Sequence, residues 1–261
     1  MAFKFSELEK KLMGMYNARI NENYCQECYE IDLKLNKDDK RVPPHAYWQL
    51  GKKYLQNKKR IAFSGKTSWI KNVDLKEELK IGSVYRLWNA DYYFDEYGDP
   101  DRRYWDAIKK ITIGVYNLPD NNIEFLDRIF VTNLVKCNVE RKEVKSKNVT
   151  RIGYFKNCID VFEKEIKIVK PTHVILFIGK KYDKILDSVT FGYDCYNIED
   201  VTDGNHTVTI NDSDAWWWHR TYSVDGIIDM NLLRIRHPDR TSNKFYSEWI
   251  PKIIDWVKNA N

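Results

Sequence analysis

The sequence predicts an α/β fold, a three-layer sandwich with a central four-stranded parallel sheet and helices on both faces. Three observations predict it. Four short β-favouring runs, at 60–64, 129–134, 172–178 and 232–236, each end at a Gly or a polar turn. Stretches with helical spacing separate them. The clearest carries Ile152, Phe155, Cys158, Ile159, Phe162, Ile166 and Val169, stepping by three and four. Ile129 to Val131 are apolar without alternation, which suits a strand covered on both sides.

In chain order, Leu8, Leu12, Met13, Met15 and Tyr16 give residues 6–20 a helical face. Residues 21–45 read as irregular, with Cys25, Cys28, a charged stretch at 37–41 and Pro43-Pro44. A helix is expected over 45–57. The first core strand, 60–64, is closed by Gly65, and the Asp- and aromatic-rich stretch 85–101 reads as a loop. A helix is expected over 102–111 and the second strand over 129–134. The polar, basic stretch 138–150 is expected to be an exposed loop. Helix 151–169 follows and Pro171 stops it. The third strand, 172–178, is closed by Gly179, with a helix expected over 181–186. An extra β region is expected near 190–225, with one strand at 207–210. The fourth strand, 232–236, ends at His237-Pro238, and a helix over 242–258 completes the chain. With no internal repeat or low-complexity linker, residues 1–261 read as a single domain: a helix and a Cys25/Cys28 segment over 1–45, and a core over 58–258.

Composition narrows the partners. The chain has 261 residues and is 43% hydrophobic, enough for a substantial core. Its net charge of +5 and pI of about 8.7 are compatible with a nucleic-acid partner without requiring one. No apolar run is long enough for a bilayer, and Met1 to Glu7 lack the apolar core of a signal peptide. The expected compartment is therefore the cytoplasm, where five cysteines read as thiols or metal ligands before disulfides. The Trp216-Trp217-Trp218 cluster reads equally as a stacking surface or a buried corner.

Every core strand ends in groups a ligand can use. Strand one runs into Gly65-Lys66-Thr67-Ser68-Trp69, strand two into Thr132-Asn133-Leu134-Val135-Lys136, strand three into Gly179-Lys180, and strand four into His237-Pro238-Asp239-Arg240. In open α/β sheets, ligands bind beyond the carboxyl ends of the strands. Gly65 permits close backbone approach. The Asn133 amide offers an acceptor and two donors to a flat partner such as a nucleobase edge, although a Thr-Asn turn after a strand is also common.

This set, in this order, resembles the uracil-DNA glycosylase superfamily, and most closely its iron–sulfur-containing branch. The resemblance rests on Val131 to Cys137, the helix carrying Cys158, the strand closed by Gly179, and His237-Pro238 where the superfamily has His-Pro-Ser. Arg103-Tyr104-Trp105 is similar to an Arg-Phe-Trp segment of the mismatch-specific members. The resemblance implies an enzyme that flips a modified or deaminated base out of double- or single-stranded DNA and hydrolyses its N-glycosidic bond. Carried over position by position, it implies that Asn133 reads the base edge and that His237 hydrogen-bonds the base carbonyl where charge develops. Gly65, Lys66 and Trp69 would bound the pocket, and Tyr97 would stack on the base, with Tyr92, Tyr93 and Phe94, or plain core packing, as the competing readings. Arg240, Lys136 and Lys244 would contact DNA. Cys25, Cys28, Cys137 and Cys158 would hold a four-iron cluster (4Fe-4S), with zinc or uncoordinated thiols as the other readings.

One departure bears on activity. The iron–sulfur branch has Gly-Glu-Ala-Pro-Gly after the first strand, with a carboxylate to activate water. Here Lys66 stands at the acid position and Thr67 follows. Neither accepts a proton well near neutral pH. Thr67 is left to orient a water weakly, or Asp95, Glu96 or Asp99 to supply a carboxylate. The alternative is a silent member that holds a base or nucleotide as a sensor or defence component.

Overall fold

The structure is a computed structural model of the full chain. It describes residues 6–19, 41–42, 48–66, 69–70, 103–120, 123–136, 138–140, 152–179, 198–199, 217–224, 228–238, 243 and 245–259. The elements are α1 (Glu7–Arg19), β1 (Arg41–Val42), β2 (Trp48–Leu50), β3 (Ile61–Gly65), β4 (Trp69–Ile70), α2 (Arg103–Tyr116), β5 (Ile129–Asn133) and β6 (Asn138–Glu140). They continue with α3 (Ile152–Val169), β7 (His173–Phe177), β8 (Ile198–Glu199), β9 (Trp217–Val224), β10 (Ile228–Ile235) and α4 (Ile250–Asn259).

The main sheet has the order β2-β5-β3-β7-β10-β9-β8. Its centre, β5-β3-β7-β10, is parallel throughout, as the sequence predicts. Numbered by their place in the chain these four lie 2-1-3-4, so the chain steps from β3 to one side and then crosses back to the other, the arrangement that opens a crevice at the carboxyl ends. Antiparallel strands extend both edges: β2 on β5, and β9 then β8 beyond β10.

Strand alternation sends side chains to two separate cores. On one face Ala62, Phe130, Val174, Leu176 and Leu232 meet α3 and α1 through residues such as Phe155, Phe162, Ile166 and Leu12. On the other, Ile61, Phe63, Val131, Ile175 and Leu233 meet α2 and α4 through Ile108, Ile111, Ile253 and Val257. α1 begins with a capping box, in which Glu9 accepts from the backbone and hydroxyl of Ser6 while Ser6 Oγ accepts from the Glu9 N–H.

Several boundaries differ from expectation. The helix expected over 45–57 is the strand β2 followed by a 3₁₀ turn, Tyr54–Gln56. Trp48 and Leu50 pair with Thr132 and Phe130 in an antiparallel ladder, and pairing at an open sheet edge outweighs local helical propensity. The loop expected over 138–150 begins as β6, which joins β1 and β4 in a small second sheet. β1 likewise gives regular structure to two residues of the segment read as irregular. β10 starts at Ile228, earlier than expected, because β9 pairs with its full length. β8 and β9 supply β structure within the extra region expected near 190–225, as an extension of the main sheet. α2 runs on to Tyr116, and the last helix opens with a π turn, Phe245–Trp249. The expected loop at 85–101, the helix over 181–186, the strand at 207–210 and Trp216 lie outside the described residues. Among the described residues, no helix is long and apolar enough to cross a membrane.

Candidate active site

The parallel register brings strand ends together. Gly65 is the partner of Asn133 at the last position of the β3–β5 ladder. By strand alternation both lie on the α2–α4 side of the sheet, as does His237 two residues past Ile235. The chain beyond these strands is fixed by backbone bonds: Leu134 N–H donates to Gly65 O at 3.0 Å and Val135 N–H to Lys66 O at 2.8 Å. After β7, Ile178 and Gly179 both donate to Ile235 O at 3.1 Å, a hook for which Gly179 adopts φ +73°.

The residue that joins these groups is Tyr104, in the first turn of α2. A Cβ on Gly65 would lie 2.8 Å from Asn133 Oδ1, 3.4 Å from the Tyr104 hydroxyl and 3.5 Å from Tyr104 Cε2. Only glycine lets the amide and the phenol come this close. The Tyr104 ring is nearly parallel to the His237 imidazole, with centroids 5.4 Å apart and planes at 11°. It meets Phe177 and Trp105 edge-on, at 5.6 and 5.4 Å. A phenol thus lies among the strand-end glycine, amide and imidazole. Two rings sandwiching a base need about 7 Å, twice a carbon–carbon contact of about 3.5 Å, so a base is not held between Tyr104 and His237 at this spacing. The sequence does not single out Tyr104 as a lining residue. Its signal is the Arg103-Tyr104-Trp105 run, but nothing in that run says the helix start lies over Gly65.

The other expected residues fall in three groups. Lys66 directly follows Gly65, is half-buried, and is tied through its carbonyl to Val135. Trp69 lies on β4, opposite Val139. Thr67, Tyr97, Arg240, Lys244, Cys25, Cys28 and Cys137 lie outside the described residues, as do Asp95, Glu96 and Asp99. Lys136 corrects an expectation. Expected at the DNA surface, it is 2% exposed, and its ammonium lies 2.5 Å from Glu165 Oε2 and 2.8 Å from Thr132 Oγ1. Acceptors inside the protein engage the group, and no phosphate reaches it there. Burial pushes Lys136 well below the usual lysine range and Glu165 well above the usual carboxylate range, while the neighbouring Cys158 acts on Lys136 in the opposite sense. Glu165 has a sequence signal in retrospect. It stands three residues after Phe162 and seven after Cys158, a carboxylate inside the apolar stripe of α3.

Cys158 is 4% exposed in the core beneath α3. It lies close enough to Lys136 for the two side chains to interact electrostatically. The other three cysteines of the expected cluster set are not described. Among the described residues no group of three or more His, Cys, Asp or Glu side chains is placed to hold a metal ion.

A family model described as the uracil DNA glycosylase superfamily matches residues 51–249, a span containing β3, α2, β5, α3, β7 and β10 and every described residue of the crevice. No curated protein matches the chain.

Proposed function

The chain belongs to the uracil-DNA glycosylase superfamily, and from that premise we propose that it binds DNA, draws a modified or deaminated base out of the stack and hydrolyses its N-glycosidic bond. The observation that carries the proposal is the meeting of Gly65, Asn133 and His237 around Tyr104 at the carboxyl ends of the parallel strands. Breaking the bond leaves negative charge on the departing base and positive charge on the sugar. Fixed donors in a water-poor cleft stabilise the first without reorganising. The Asn133 amide reads the base edge, and the His237 imidazole donates to the carbonyl that gains charge. Gly65 keeps the floor open. Tyr104 supplies an aromatic wall, beside or in place of Tyr97, and its ring must lie flat against the base or turn aside as the base enters. Lys66 and Trp69 bound the pocket beyond Gly65. Arg240 and Lys244 follow His237 closely enough in sequence to hold DNA backbone next to the flipped nucleotide.

Water activation is the weakest part of the machinery, since Lys66 and Thr67 replace the expected carboxylate. Thr67 orients the water, or an acid from Asp95, Glu96 or Asp99 activates it. The same departure favours a second reading, in which the chain holds a base without cutting and acts as a sensor or defence component. Cys25, Cys28 and Cys137 complete a four-iron cluster with Cys158 in the first reading. Such a cluster has a structural part there, and no bond-breaking step involves it.

The test uses duplex and single-stranded oligonucleotides carrying uracil, hypoxanthine, hydroxymethyluracil or a glucosylated base, followed by alkali. Strand breaks that vanish in N133A and H237A establish excision. Base-dependent binding without breaks, lost in the same variants, establishes the second reading. Indifference of both signals to both substitutions overturns the site. Absorbance at about 400 nm in the purified protein reports the cluster.

A further inference from the structure

Thr132 and Asn133 are consecutive residues of β5 and point to opposite faces of the sheet. Asn133 faces Tyr104 and Gly65. Thr132 faces α3, where its hydroxyl lies 3.1 Å from both oxygens of Glu165. Lys136 folds back beneath the same strand. Its ammonium donates to Glu165 Oε2 at 2.5 Å, to Thr132 Oγ1 at 2.8 Å, and to the backbone carbonyl of Asn133 itself. Three N–H donors meet three acceptors, and the Thr132 hydroxyl donates its own proton to Glu165, so the network is closed. The Phe162 ring covers it, with its centroid 5.7 Å from Nζ. Both charged side chains are fully buried.

Such a pair is a poor way to stabilise a core. Two apolar side chains of similar volume commonly do as well or better, because neither has to be taken out of water as a charge. What apolar side chains cannot do is hold a carbonyl oxygen. The carbonyl held here belongs to the residue whose side chain occupies the crevice.

We infer that Lys136 and Glu165 are positioning residues for Asn133: the buried pair grips the end of β5 from the α3 side and fixes the direction of the amide on the crevice side. Lys136 secures the Asn133 carbonyl, and Glu165 secures Lys136 and Thr132. The bonds from Leu134 and Val135 to Gly65 and Lys66 lock the following residues. Asn133 therefore meets a ligand with its backbone already ordered, and little ordering remains when the base arrives. The inference rests on the reading of Asn133 as the base-recognising amide, and its test separates the two.

The variants are N133A, K136M/E165L and the triple combination. Each is assayed for affinity toward a duplex with one uracil, hypoxanthine or hydroxymethyluracil, relative to the same duplex with a tetrahydrofuran abasic site. The wild-type ratio measures base recognition alone. K136M/E165L is expected to melt within a few degrees of wild type and to lose roughly tenfold or more in that ratio, approaching N133A. The triple variant is expected to match N133A, because a residue that acts through Asn133 has no effect once the amide is gone. A K136M/E165L protein that discriminates like wild type, or a triple variant whose loss is the sum of the two, overturns the inference. If N133A leaves the ratio unchanged, the base-reading assignment fails. Positioning is then decided by the Asn133 side-chain amide signal in ¹⁵N-asparagine-labelled protein, identified by its absence from N133A. The signal is expected to shift or broaden in K136M/E165L, and an unmoved signal overturns the inference. Should K136M/E165L not fold, T132V is read by the same two measurements, since it removes the shared hydroxyl while adding no buried charge.

Discussion

The two ends of the parallel sheet use the same kinds of residue differently. At the amino ends, polar groups join one element to another. Thr172 and His173 donate backbone N–H to Arg60 O, Arg60 returns its own N–H to the Thr172 hydroxyl at 2.8 Å, and Arg60 Nε caps Lys170 O. Tyr116 reaches Lys59 O at 2.6 Å, and Asn57 donates to the Arg128 carbonyl while accepting from its guanidinium. At the carboxyl ends the backbone is tied just as firmly, but Asn133, Lys66 and His237 are half-buried side chains at or just past the strand ends. Two kinds of strand-end polar group are thereby separated. One that closes a gap between two elements is structure. One held from behind while its head faces a cleft is a candidate for chemistry.

Substitution costs most at the buried pair, a staple that belongs to the crevice end and so cuts across this division. K136M alone or E165L alone leaves one charge without its partner in the interior. Either single change is expected to cost about 3–5 kcal/mol in urea unfolding, against a near-neutral double variant. Single changes that each cost under about 1 kcal/mol would mean that the two side chains do not depend on each other.

Two glycines at opposite ends of the sheet come next. A Cβ on Gly51 would lie 2.2–2.4 Å from the backbone of Asp127 and Leu126, atoms that cannot step aside. G51A is expected to lose about 3 kcal/mol of stability. A Cβ on Gly65 first meets the Asn133 side chain, a movable group, at 2.8 Å. G65A is therefore expected to stay within about 1 kcal/mol of wild type in stability while base recognition falls about 100-fold, since misplacing a functional group by an ångström costs that much. Equal losses of stability in the two variants would erase the distinction between the ends.

Legibility in the sequence follows the same division. The four central strands and α3 announce themselves because burial on both faces demands unbroken apolar runs and a three-and-four spacing. Gly65, Asn133 and His237 are legible because they interrupt those runs at strand ends with residue types that suit a ligand. Tyr104 is not, since its place depends on how the start of α2 lies across β3. Lys136 reads as exposed because its partner Glu165 is 29 residues away on another element, and no local pattern connects them. β2 reads as a helix because an edge strand of three residues takes its conformation from the neighbour it pairs with.

A smaller effect comes from pH and belongs to the amino end. Burial, and then the positive charge of Lys59, hold His173 down to about 3, against an ordinary value of 6.5. Between those values the unfolded chain binds a proton that the folded chain refuses. Stability is therefore complete above about pH 6.5 and falls as pH drops through the window, by at most about 1.4 kcal/mol per pH unit from this one group. H173F is expected to flatten the dependence of the urea midpoint between about pH 7 and pH 5. An unchanged slope would show that other groups set it.

The subtlest change concerns the hydroxyl beside that histidine. Thr172 Oγ1 lies 2.9 Å from His173 Nδ1, donates to Arg60 O at 3.3 Å and accepts the Arg60 N–H at 2.8 Å. T172V removes these bonds and leaves the Arg60 N–H to find another acceptor, an expected loss of about 1 kcal/mol at about pH 7. Burial and the Lys59 charge keep His173 neutral with or without the hydroxyl, so the gap between wild type and T172V is expected to stay constant from about pH 7 to 5. A gap that changes over that range would show that the hydroxyl takes part in holding the ring neutral.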